Sequence, residues 1–205
     1  MALGTWGAYI APSSHVLHMI FLDLHVLTLC TSREWYGLAR FDHPVPAGLT
    51  LLQSLFPDML SSSYTRPLFI PSNKGESIAD LHNRTAYTLH KIVTELDADP
   101  EGPKAIMIAT HAATMIAVGR VLTGLMPEDP NDEDFLAYTC SLSRFERKRN
   151  DAGEIDTIPE VDEWDRKEPP TIPKLDWQGK GVAGGWDCVL NGETSFLSAG
   201  AERGW

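Results

Sequence analysis

Residues 104–124 (KAIMIATHAATMIAVGRVLTG) constrain the fold of this chain more than any other stretch. Residues 104–110 form a short, continuous apolar run, the pattern of a strand covered on both faces in a parallel sheet. His111 follows at once. Met115, Ile116, Val118, Val121 and Leu122 then recur at helical spacing up to Gly124, which stands where a helix C′ glycine is usual. The unit is strand, histidine, helix, and it predicts an α/β domain. In open α/β sheets ligands bind beyond the carboxyl ends of the strands, where a helix N-terminus offers free N–H groups to an anion. His111 occupies that junction. Ala112 and Ala113 leave room for a phosphate to approach the backbone, and the imidazole can donate a hydrogen bond to it. By residue type alone, a lone histidine after a strand is more often a satisfied structural residue than a ligand.

The clearest helix signal lies upstream. Ser77 reads as an N-cap with Asp80 three positions later, and Ile78, Leu81, Thr85, Leu89, Ile92 and Leu96 follow at spacings of three and four. Pro100 and Pro103 end the helix near Asp97. Glu76, beside the cap, fits charge stabilisation of the first turn as well as a place in a site. Arg84 fits either a site-facing role or a surface ion pair. Residues 49–56, bounded by prolines, predict two helical turns. Residues 137–145 read as a further strand, with Tyr138, Cys140, Leu142 and Phe145 in rough alternation.

The N-terminal run at residues 16–30 (VLHMIFLDLHVLTLC) imitates a targeting segment and fails both tests. Residues 1–20 contain no Lys or Arg, and the run is shorter than a membrane helix and carries Asp23. It reads as part of a soluble protein, with strand and buried helix both open. At 205 residues the chain suits one domain, taking roughly 150 residues as the soft prior. A formal charge of −11 opposes general attraction to nucleic-acid phosphates or anionic lipid, so neither direct nucleic-acid binding nor membrane association is expected. Two acidic stretches, residues 128–134 and 151–170, read as solvated loops. Cys30, Cys140 and Cys188 lie far apart, which suggests neither a disulfide scaffold nor a zinc site, and no metal or other cofactor is expected.

Several segments, taken in order, resemble the histidine phosphatase (phosphoglycerate mutase-like) superfamily. Glu34-Trp35-Tyr36-Gly37 resembles the segment carrying the acidic proton donor. Gly75-Glu76-Ser77 with Arg84 resembles the family's G-E-S helix start, and Ala109-Thr110-His111-Ala112-Ala113 resembles the strand end presenting the second active-site histidine. Within the superfamily the chain is similar to fungal relatives of the histidine-phosphatase subunit of the RNA polymerase III general transcription factor. Residues 185–189 and 194–205 resemble the closing hairpin of those proteins. The resemblance covers residues 33–205 and leaves residues 1–32 unmatched.

The resemblance implies a three-layer α/β sandwich with a mostly parallel sheet, N-terminally incomplete, and phosphoryl transfer through a phosphohistidine supplied by an R-H-G motif. No Arg-His dipeptide occurs in these 205 residues. The family's two further arginines are not matched either, and Arg66 in SSSYTR falls out of register and after Glu34. What remains is half a site: His111 and Ala112 to bind phosphate, Glu34 to protonate a leaving oxygen, and Glu76 and Arg84 as lining. The expectation is a family member without phosphatase activity in this form. Its ligand would be a phosphorylated small molecule or phosphoprotein. The alternative is a scaffold or binding subunit with protein partners in a transcription complex, in the cytoplasm or nucleus. A gene product missing its first strand would leave strand edges unpaired, and part of residues 16–29 is available to substitute.

Overall fold

The computed structural model describes residues 7–9, 18–20, 49–55, 76–100, 105–148 and 171–202. These form strands β1 (Gly7–Tyr9) and β2 (His18–Ile20), helices α1 (Leu49–Leu55) and α2 (Ile78–Ala98), strand β3 (Ile106–Ala109), helix α3 (Ala112–Thr123), strand β4 (Leu142–Arg147), a 3-10 turn (Val182–Gly184) and strand β5 (Trp186–Glu193). The architecture is α/β. Glu34, Arg66, Gly75 and the second acidic stretch lie outside the described residues.

α2 forms where its capping box predicts. The Asp80 amide donates to Ser77 Oγ at 3.1 Å, and the Ser77 amide donates to Asp80 Oδ2 at 3.0 Å. Leu81, Thr85, Leu89 and Ile92 are buried, whereas Ile78 at the N-terminal end is exposed. The buried face is wider than the apolar stripe, because His82, Arg84 and His90 lie inside as well. α3 ends as its glycine predicts, with Gly124 left-handed at φ 78° and its amide bonded to the Arg120 carbonyl.

The sheet order is β2-β3-β1-β4-β5. It is mixed, not mostly parallel. β2 runs parallel to β3 and β1 parallel to β4, while β1 is antiparallel to β3 and β5 returns antiparallel along β4. The departure has two sources. The N-terminal segment enters the centre of the sheet against the direction of β3, and a return connection after β4 places β5 at the edge. Within the N-terminal segment, Gly7–Tyr9 fills the slot between β3 and β4 and His18–Ile20 pairs outside β3. Part of the apolar run is thus strand.

β4 also departs from expectation. It starts at Leu142, and its inward residues are Ser143 and Phe145, the opposite phase to Cys140 and Leu142. A turn through Cys140, left-handed at φ 58°, precedes the strand and sets the register. One hydrophobic cluster joins Leu89 and Ile92 of α2, Ile106 and Ile108 of β3, Val118, Val121 and Leu122 of α3, Phe145 of β4, Trp186 of β5 and Trp177. Among the described residues no helix is long and apolar enough to cross a membrane.

Gly119 shows how closely this core is fitted. A Cβ there would stand 2.5 Å from the Phe135 ring, so the helix needs a glycine on that face for Phe135 to seat.

Candidate functional site

β3 stops at Ala109, Thr110 carries the chain across, and His111 becomes the N-cap of α3 in extended conformation, φ −92° and ψ 165°. Its carbonyl accepts the Met115 amide at 2.8 Å, the first bond of the helix. Its side chain makes no capping bond. The first N–H groups of a helix have no intrahelical acceptor, so this end keeps donor capacity unused by a cap. Ala112 is half-buried and Ala113 exposed, and neither carries more than a methyl group over those donors.

The His111 ring is half-buried, and burial pushes its pKa below the ordinary 6.5. At neutral pH it is uncharged, with one N–H to donate and one lone pair to accept. Such a ring beside a helix N-terminus can hydrogen-bond an anion but brings no full positive charge of its own. On either side of His111, Thr110 and Thr114 are 2% and 3% exposed, and neither hydroxyl has a hydrogen-bond partner.

Glu76 and Arg84 are brought together. Arg84 Nε donates to Glu76 Oε1 at 2.6 Å and Arg84 Nη2 to Glu76 Oε2 at 2.7 Å, with side chains 3% and 9% exposed. The forked geometry is the strong form of an Arg–carboxylate pair. Neither residue is at the surface, and the guanidinium is committed to the carboxylate.

A second pair, between a buried arginine and a partly exposed aspartate, was not anticipated from the sequence. Arg120, 2% exposed, directs Nε and Nη2 to the Asp134 carboxylate at 2.9–3.1 Å, Nη1 to the Pro130 carbonyl at 3.1 Å and Nη2 to the Asp132 carbonyl at 3.0 Å. The stretch at residues 128–134 is the exposed loop expected of it, and its Pro130 and Asp132 carbonyls and Asp134 carboxylate also meet this guanidinium. The available signal was an arginine inside the apolar pattern of α3, seven residues before Pro127 and near several acids.

Among the described residues no group of His, Cys, Asp and Glu could hold a metal ion.

Residues 47–157, more than half of the chain, match the model of the histidine phosphatase superfamily (branch 1). The match includes Glu76, Arg84, His111 and Ala112 and begins after Glu34. The chain is also similar to the transcription factor tau 55 kDa subunit of Saccharomyces cerevisiae (strain ATCC 204508 / S288c), at 30% identity over 177 residues. That alignment covers 84% of this chain and 38% of the relative, so the chain spans well under half of the relative's length. With the strand–His111–helix junction inside the matched residues, the chain belongs to the histidine phosphatase superfamily, branch 1.

Proposed function

We propose that this chain is a phosphate-recognising member of its superfamily that does not turn over phosphomonoesters by itself and serves as a protein-binding part of a nuclear transcription complex. The observation that carries the first half is the state of the buried cations. His111 faces an uncapped helix end as a neutral ring, while Arg84 and Arg120 are each neutralised by a carboxylate.

Phosphoryl transfer depends on stabilising charge as it develops, and removal of one such donor costs about 3–4 kcal/mol of barrier. A site with a hydrogen-bonding ring whose buried arginines, among the described residues, are already committed to carboxylates binds an anion better than it transforms one. The sequence adds that no Arg-His-Gly occurs in the 205 residues to supply a nucleophile. In this proposal Glu34 holds the proton-donor position, and residues 33–205 make up the superfamily domain, a three-layer sandwich of phosphoglycerate mutase type. The second half rests on the similarity to the tau 55 kDa subunit, whose name places it in a transcription factor.

Hydrolysis of para-nitrophenyl phosphate tests the catalytic claim. The chain, its His111→Ala variant and a version carrying an added R-H-G segment are assayed together. Turnover by the added-segment version alone is the expected result. Turnover by the chain itself that disappears in His111→Ala would sink the claim. For the partner, affinity capture from fungal nuclear extract should recover RNA polymerase III transcription factor subunits, and their absence would count against that half.

A further inference from the structure

We propose that His82 is a pH-sensitive latch that holds the strap at residues 171–185 against α2, and that protonation of its ring releases the strap.

The strap is pinned from three sides, and on the β4 side the Lys148 amide donates to the Gly185 carbonyl at 3.0 Å and Arg147 Nε to the Ala183 carbonyl at 3.1 Å. On the α2 side, Asn83 Nδ2 donates to the Ile172 carbonyl at 3.3 Å and the Trp177 ring stacks on the His82 ring, with centroids 5.9 Å apart and planes within 9°. On the α3 side, the Gly179 amide donates to the Gly124 carbonyl at 2.8 Å. A Cβ on Gly124 would stand 2.5 Å from the Gly181 nitrogen, so the two backbones touch without side chains between them. Within the strap, the Gly181 amide donates to the Trp177 carbonyl at 2.7 Å, which ties the backbone conformation to the position of Trp177.

His82 is the titratable member of this arrangement. Its Nδ1 lies 2.7 Å from the Ile78 carbonyl oxygen. A carbonyl only accepts, so Nδ1 carries the proton of the neutral ring and Nε2 carries the lone pair. Nε2 is buried and has no hydrogen-bond partner. A second proton must go to Nε2, making a charged N–H donor with no acceptor in a buried place.

The charged groups that act on the ring are Arg120 of α3, which opposes protonation, and Asp134 of the following loop, which favours it. These two are bonded to each other, so their influences oppose. On the strap itself, Asp176 and Lys180 pair with one another at 3.3 Å on the outside, the Asp176 side chain being 89% exposed. Attraction of an imidazolium to the indole face works against release, but at 5.9 Å it acts near the limit of its range. Burial is the largest influence and lowers the ring's pKa from the ordinary 6.5.

The sign follows from linkage. The folded ring binds its proton less readily than the exposed one, so the latched form is fully favoured above pH 6.5 and loses ground as pH falls below it. The opened strap exposes the ring and takes the proton. Trp177 and Val182 leave the core with it, while α2, α3 and the sheet keep the rest of the hydrophobic cluster.

Hydrogen exchange of the Gly179 and Gly181 amides tests this, measured from pH 7.5 to pH 5 on the whole chain and corrected for the intrinsic pH dependence of exchange. Protection of both amides should fall at least tenfold in the wild type and stay level in His82→Phe, which keeps a stacking ring and cannot be protonated. Equal losses in both proteins, or no loss in the wild type, would overturn the proposal. Titration of the His82 ring by NMR in the wild type decides independently of the variant's folding. A midpoint below 6.5 that coincides with strap opening supports the latch, and a midpoint at or above 6.5 overturns it.

Discussion

The two ends of α3 are built on opposite plans. At the C-terminal end the hydrogen-bonding groups are matched. The Gly124 amide meets the Arg120 carbonyl, Thr123 Oγ donates to the Gly119 carbonyl at 2.7 Å, the Leu125 amide donates to Thr123 Oγ at 3.3 Å, and the Gly124 carbonyl receives the strap through Gly179. At the N-terminal end His111 makes no capping bond, and the hydroxyls of Thr110 and Thr114 are buried without partners. One helix therefore carries a finished structural joint and an unfinished polar surface. Buried polar groups without partners each cost free energy, so the two ends of this helix contribute unequally to stability.

The contrast can be broken first at the joint. Gly181 has φ 75°, and a Cβ there would fall on the Leu122 carbonyl oxygen and 2.8 Å from Gly185 Cα. Gly181→Ala adds a left-handed strain to an overpacked contact and should lower stability by about 3 kcal/mol in urea unfolding. A loss below about 1 kcal/mol, within reach of an ordinary surface change, would mean that the joint yields.

At the open end the sign reverses. Thr114→Val keeps the shape and removes a buried, unpartnered hydroxyl, so it should raise stability by about 1 kcal/mol. A destabilised variant would show that the hydroxyl has a partner and that the two ends are more alike than described.

The smallest stability effect belongs to His111→Ala, which gives up no capping bond and should change stability by at most about 0.5 kcal/mol at pH 7.5. Its diagnostic is a loss of response. Inorganic phosphate should raise the melting temperature of the wild type and leave the variant unchanged. Because burial lowers the His111 pKa, the unfolded chain takes up the proton first, and the wild type loses stability as pH falls below 6.5. The variant should lose less over the same interval. A variant that still responds to phosphate removes His111 from the binding site.

The parts of the fold legible in the sequence are those that depend on neighbours along the chain. Ser77 and Asp80 close a capping box within one turn, and Gly124 ends α3 through its own backbone preference. The strand–His111–helix unit is equally local. What was illegible depends on distant pairing. Nothing near Gly7 indicates that it lies opposite Ala109 on one side and Leu142 on the other. The phase of β4 was misjudged because Cys140 and Leu142 are the apolar residues, whereas the inward position at Ser143 is set by its hydroxyl accepting the Gly192 amide at 2.9 Å. In sequence Glu76 reads as a helix-end charge or a site residue, and Arg84 as site-facing or part of a surface ion pair. Their eight-residue separation spans a helix start, so only the folded backbone shows that each is the other's partner. Glu34 was legible solely through its likeness to the family's donor segment and lies outside the described residues.

The place of β1 in the sheet also sets the order in which the protein can be finished. Residues 7–9 leave the ribosome early, yet their two neighbours in the sheet are residues 107–109 and 142–144. At about 5–20 residues per second the wait for β4 is on the order of ten seconds. During that interval residues 7–9 lack at least one of their two neighbours, and pairing so remote in sequence is slow even once both are made. The centre of this sheet thus cannot close until both β3 and β4 have been made.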